Sequence, residues 1–192
     1  MTRIIGGEAG GRRLRTPPGD GTRPTSDRVR EALFSALESE LGSLRGLRFL
    51  DLYAGSGAVG LEAASRGAAA VTLVESDRRT AQLVTANAQV VGVAADVRAS
   101  PVARVLATAP RAPYDIAFLD PPYPLTEEDL AEVLGLLVQH DWLAPGGTVV
   151  VERSRRSVEP AWPEGLGTPR MKKYGETVLW YVRRAQPRAK ES

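Results

Sequence analysis

From residue 49 onward the chain alternates short apolar runs with segments whose apolar residues recur at helical spacing, and this alternation constrains the fold more than any other feature. Strand-like runs fall at residues 49–53, 71–75, 95–98, 114–120 and 147–152. Helical patterns fill the stretches that end near residue 66, span 77–91, and carry Leu130, Val133, Leu134, Leu137 and Val138 on one face behind a Thr126 cap. A repeating strand–helix chain closes as a parallel, doubly wound sheet covered on both faces. Beyond residue 156 the pattern changes. Pro160, Pro163 and Pro169 with Gly165 and Gly167 exclude a long helix over 157–169, and the runs at 171–174 and 177–182 flank Gly175 as a hairpin. The expected sheet is therefore mostly parallel, seven-stranded, and edged by an antiparallel terminal hairpin.

Ahead of the alternating region, Ile4-Ile5-Gly6-Gly7 and Arg12-Arg13-Leu14-Arg15 predict a small basic β-hairpin. Thr25 or Ser26 is placed to cap a helix carrying Val29, Leu33, Leu37 and Leu41. The organisation read from this is an N-terminal hairpin extension at 1–22, a main domain at 23–184 and a polar tail at 185–192. At 192 residues, 43% of them hydrophobic, the chain has the size and apolar content for one domain with one core.

The net charge of +2 conceals a partition. Residues 1–30 carry +4 and residues 153–192 carry +6, whereas residues 31–152 carry −8. Lys and Arg hold phosphate-rich partners, so the two ends are where nucleic acid would dock; a merely solvated surface accounts for the same charges. The chain has no cysteine, which removes disulfides, thiolate metal sites and cysteine nucleophiles, and its single histidine, His140, is expected at a helix end as a cap. No metal is expected. No apolar run is long enough to cross a bilayer and the N-terminus lacks a signal-peptide core, so a cytoplasmic protein is expected.

Two constellations carry chemistry. The first is Asp51-Leu52-Tyr53-Ala54-Gly55-Ser56-Gly57-Ala58-Val59-Gly60, followed at the end of the next strand by Glu75 and Ser76. Glycines let the backbone turn and approach a ligand at a helix N-terminus, and a carboxylate about 20 residues on can hold a ribose diol. This pattern fits a nicotinamide cofactor as readily as S-adenosylmethionine. The second is Asp120-Pro121-Pro122-Tyr123 behind the apolar run 116–119, at the carboxyl end of a strand where open α/β sheets bind ligands. Two prolines remove two N–H donors and stiffen the turn, leaving a strip that only accepts hydrogen bonds. An exocyclic base amine has its lone pair delocalised into the ring, and acceptors for its protons favour a pyramidal, nucleophilic nitrogen. Asp120 and the Pro121 carbonyl are the candidate acceptors, with Tyr123 as a stacking platform for a base taken out of its helix or loop. A DNA adenine or a protein glutamine also presents a planar amine to such a strip. A nicotinamide oxidoreductase would need a proton relay for which this chain offers one badly placed histidine.

Arg23-Pro24-Thr25 with Arg28, Val29, Arg30 and Glu31, the glycine loop at 51–60, Glu75, the strip at 120–123 and the opening Arg3-Ile4-Ile5-Gly6-Gly7 together resemble the small-subunit ribosomal RNA methyltransferase D family over residues 3–183. The resemblance implies a Rossmann-like, class I S-adenosylmethionine-dependent methyltransferase that acts on the N2 amine of a guanine in 16S rRNA. The implied partner is 16S rRNA or a partly assembled small subunit, and the protein would work as a monomer. The cofactor contacts expected on this basis are Pro24, Thr25, Asp51, Tyr53, Ala54, Gly55, Ser56, Gly57, Glu75 and Ser76, with Asp120, Pro121, Pro122 and Tyr123 around the target base. Arg3, Arg12, Arg13, Arg15, Arg28, Arg153, Arg155, Arg156, Lys172 and Lys173 are the expected RNA contacts. One departure concerns the adenine: Ser100-Pro101 stands where the family often has an acidic residue after the third strand.

Overall fold

The computed structural model describes residues 2–19 and 25–187. Arg23 and Pro24, and the tail from residue 188, lie outside them. The chain runs β1 (Thr2–Arg3), β2 (Arg13–Leu14), α1 (Asp27–Leu41), β3 (Arg48–Leu52), α2 (Ala58–Ser65), β4 (Ala70–Glu75), α3 (Arg78–Val91), β5 (Asp96–Ala99), α4 (Val102–Leu106), β6 (Tyr114–Leu119), α5 (Glu127–Gln139), β7 (Leu143–Ser154), β8 (Arg170–Tyr174) and β9 (Thr177–Arg183). The main sheet has the order β5-β4-β3-β6-β7-β9-β8. Its first five strands are parallel, and β9 and β8 add antiparallel to β7. The expected architecture is thus the observed one. The short helix α4 was not anticipated, since five residues are too few to display a helical period.

Side chains alternate across each strand, and the two faces bury separate clusters. Phe49, Leu73, Phe118 and Val150 face α1, α2 and α3 with Phe34 and Val84. Leu50, Leu52, Val74, Leu119 and Val151 face α5 with Leu130 and Leu134. Local signals set the helix ends. Ser26, not Thr25, caps α1 by accepting the Val29 N–H, and Thr126 with Asp129 forms a capping box on α5. His140 ends α5 as its C-cap residue, and Trp142 is fully buried, stacked on Tyr114 with its indole N–H donated to the Thr108 carbonyl.

The N-terminal hairpin is not a loose appendage. Ile4, Ala9 and Leu14 are buried in the same cluster as α1, α2 and α3. Gly7 has φ +76, and a Cβ there would lie 2.0 Å from the Ser65 carbonyl oxygen, so only glycine permits this contact with the end of α2. Glu62, fully buried on α2, accepts the N–H groups of Ile5 and Gly6 at 2.8 Å each and pairs with Arg30 and Arg66. Asn87 of α3 then clamps the hairpin's exit. It accepts the Arg15 N–H and donates to the Arg15 and Ser56 carbonyls, all at 2.9 Å.

Candidate active site

The parallel register decides which residues meet at the carboxyl rim. Leu52 pairs with Val74 and with Leu119, and Leu119 with Val151, so Glu75, Tyr53, Asp120 and Glu152 each stand one step beyond a common row. Strand alternation then sets their direction. Asp51, Glu75, Asp120 and Glu152 share the parity of Phe49, Leu73, Phe118 and Val150, so four carboxylates lie on the α1–α3 face of adjacent strands.

The turn between β3 and α2 builds one wall. Asp51 is buried and accepts the Gly60 N–H at 2.9 Å, pinning the first turn of α2 to the strand. Gly60 permits this because a Cβ there would lie 2.6 Å from Leu73 Cδ2. Tyr53 takes a left-handed φ of 62, and Gly57, also left-handed, leaves α2 without a side-chain cap. Glu75 accepts the Gly55 N–H at 2.9 Å and the Asp77 N–H at 3.0 Å. Each of its oxygens keeps an acceptor direction for a ligand. Ser76 is exposed beside it, Ser56 is buried, and Ala54 and Gly55 are half-buried.

The other wall is the strip after β6. Pro121 is buried, Pro122 exposed and Tyr123 99% exposed, its ring standing free of the core. Thr25, directly before α1, donates to Glu152 Oε2 at 2.8 Å and lies 3.4 Å from Asp120 Oδ2. Burial, the Gly60 N–H acting against it, and the charges of Glu75 and Glu152 bring the Asp51 carboxyl up to about 7. Burial first, then the charges of Glu152 and Asp51, raise Asp120 well above the usual carboxylate range, and burial raises Glu152. Glu152 was missed in the sequence. It ends the apolar run 148–151 two positions from Val150, and that parity, matched to Asp120's, was the available signal. Asn87 was missed too, because a helix-interior asparagine carries no motif.

The basic residues divide. Arg13, Arg15, Arg28, Arg155, Arg156, Lys172 and Lys173 are exposed, and Arg3 is exposed beside Asp27 at 3.5 Å. The Arg155 N–H donates to the Glu176 carbonyl at 2.8 Å, which puts the β8–β9 turn against the end of β7. Two of the expected RNA contacts are engaged within the protein. Arg153 points to the α5 face, 11% exposed and paired with Glu127, because strand alternation turns it away from Glu152. Arg12 is exposed, but its guanidinium donates to the Val91 carbonyl at the end of α3. Among the described residues no group of three or more His, Cys, Asp or Glu is arranged to hold a metal ion, and no helix is long and apolar enough to cross a membrane.

Known proteins carry the same fold and much of the same sequence. A family model described as conserved hypothetical protein 95 matches residues 2–183. The ribosomal RNA small subunit methyltransferase D of Escherichia coli K12 is 37% identical over 185 residues, covering 96% of this chain and 91% of that protein. This chain belongs to the ribosomal RNA small subunit methyltransferase D family. A hypothetical protein of Thermus thermophilus superimposes with a TM-score of 0.80 at 36% identity, over 97% of this chain and all of that one. A 16S rRNA N2 methyltransferase of the same organism, solved with AdoMet and guanosine, gives a TM-score of 0.71 at 25% identity, over 87% of this chain and 46% of that one. The cleft suits such a cofactor on its own terms. Its rim gathers carboxylates that favour a cationic ligand, and a Cβ at Gly55 would meet nothing within 4 Å, so that turn opens onto free space.

Proposed function

We propose that this protein is an S-adenosylmethionine-dependent rRNA methyltransferase that modifies the N2 amine of a guanine in 16S rRNA. The observation that carries this reading is the shared rim. The glycine turn with Glu75 and the Asp120 strip stand on neighbouring strands, level with one another and on one face of the sheet. Family membership supports the substrate class, and the relatives' names support 16S rRNA and the N2 position.

When bound, S-adenosylmethionine supplies a methyl group already activated by its sulfonium. Glu75 would hold the ribose diol, the turn at 54–57 would pass close under the cofactor, and Asp51 keeps that turn fixed by holding Gly60. Thr25 lies beside Asp120, in line with a place near the methionine part. Asp120 and the Pro121 carbonyl would accept the two amine protons, aiming the nitrogen lone pair at the methyl carbon. Tyr123, with both ring faces in solvent, would stack on the extruded guanine, a contact worth roughly 1–3 kcal/mol. The protein contributes orientation above all. No strong base is needed before attack, since the methylated nitrogen is cationic and loses a proton readily. Arg155, Arg156, Lys172, Lys173 and the exposed arginines of the hairpin would hold RNA phosphates around the rim, whether on free rRNA or on a partly assembled subunit. One protomer contains every residue this scheme uses, which supports a monomeric enzyme.

Mass mapping of 16S rRNA from cells lacking the protein tests the proposal. One guanine should lose a methyl group and regain it when the gene is restored. Unchanged 16S rRNA, with radiolabelled methyl appearing instead in DNA or protein, would transfer the same strip to an adenine or a glutamine.

A further inference from the structure

The Thr25 hydroxyl has one proton and two carboxyl neighbours. At 2.8 Å from Glu152 Oε2 and 3.4 Å from Asp120 Oδ2, it donates along the shorter contact and turns a lone pair toward Asp120. An ionised Asp120 would then face that lone pair, an acceptor against an acceptor. A protonated Oδ2 resolves the conflict. We propose that Glu152 is a positioning residue that, through Thr25, fixes a proton on Asp120 Oδ2, so that Asp120 offers Oδ1 to the target amine as an uncharged carbonyl acceptor. The chain of donors balances with one shared proton: Asp120 Oδ2–H donates to Thr25 Oγ1, whose own hydrogen is donated to Glu152, which carries the negative charge.

The surroundings bear this out. Asp51 from β3 and Glu75 from β4 add like charge on the same face, and the cation that acts against them on Asp120, Arg153 of β7, has the smallest effect and is paired with Glu127 on the opposite face. Burial of Asp120 and Glu152 in that field makes two adjacent anions unfavourable, and both groups are driven toward protonation. The two carboxyls therefore titrate as a pair. A neutral Asp120 also explains why an acidic strip can receive an electron-rich base edge without a counter-cation. The inference rests on the reading of Asp120 as an amine acceptor.

Carboxyl-carbon NMR of the full-length protein without cofactor, combined with turnover of rRNA by variants, tests both levels. In the wild type, Asp120 stays protonated at neutral pH and its signal titrates together with that of Glu152. Glu152→Gln still accepts from Thr25 but removes the charge, so the Asp120 midpoint falls by about one pH unit or more, a tenfold loss of proton affinity. Thr25→Ser keeps the coupled titration and Thr25→Val breaks it. Asp120→Asn reproduces the neutral acceptor and donates to Thr25 as the acid did, so kcat falls by no more than about tenfold. The proposal is overturned if Asp120 is ionised at neutral pH, or if Asp120→Asn loses as much turnover as Asp120→Ala. Full activity of Asp120→Ala would instead remove the acceptor reading itself, and the wild-type titration separates that outcome from this one even where a variant fails to fold.

Discussion

Two buried carboxylate sites lie on the same side of the sheet and are built in opposite ways. At the hairpin dock, Glu62 is fully buried yet satisfied on every side, by the Ile5 and Gly6 N–H groups, by Arg66 at 2.9 Å and by Arg30 at 3.6 Å. At the rim, Asp120 and Glu152 are mostly buried with one hydroxyl between them and further carboxylates as neighbours. The first arrangement stabilises a docking surface. The second lowers stability to keep a reactive cleft ready.

Truncating Glu62 should break this contrast most severely. Glu62→Ala leaves Arg30, wholly buried, with only the half-exposed Asp27 as counter-ion, and strands two backbone N–H groups. A loss of about 3–5 kcal/mol is expected, read as a fall in the urea midpoint. Deleting the first 20 residues would do similar damage by removing Ile4 and Leu14 from the core, so it is a poor probe of RNA contacts. Asp120→Ala should do the reverse. Folding stability holds or rises, cofactor binding stays within a few-fold, and methyl transfer drops by about 100-fold or more. Equal losses of binding and turnover would make Asp120 structural.

The pH dependence sharpens the same comparison. The folded Asp51 carboxyl sits at about 7, above its unfolded value of roughly 4. Between these values the folded chain binds more protons than the unfolded one. The stability this group confers is thus complete below about 4 and is lost as pH rises through about 7. Asp51→Asn keeps an acceptor for the Gly60 N–H and should remove up to ~1.4 kcal/mol per pH unit of that decline, measured by urea unfolding between about pH 5 and 8. An unchanged slope would mean that Asp51 is already ionised in this range.

Much of the rim was legible because its signals are local. A glycine turn after an apolar strand, an acid at the next strand's end and a Pro-Pro strip each announce themselves within about ten residues, and alternation alone marked the parallel strands. What escaped depends on pairing across the fold. Glu152 ends an apolar run as many strand-terminal acids do, and only its register with Asp120 and the approach of Thr25 from a distant segment give it a role. Glu62 and Asn87 sit within helices where a polar residue ordinarily faces water, and the docked hairpin turns them inward. Arg153 is the complementary case: a charge run in sequence alternates between two faces in a strand, so adjacent basic residues do not form one surface.

That alternation yields the smallest and most selective effect. Arg155 and Arg156 are exposed beyond the end of β7, next to the β8–β9 turn, whereas Arg153 is tied to Glu127. If the exposed pair contacts rRNA phosphates, Arg155→Ala and Arg156→Ala should each lower the slope of log affinity against log salt by about one, with folding unchanged. Arg153→Ala should leave the slope alone and instead cost stability, because the Glu127 carboxylate loses its partner. A slope change in Arg153→Ala equal to that of its neighbours would mean that RNA draws this arginine out of its ion pair, and would return it to the binding surface.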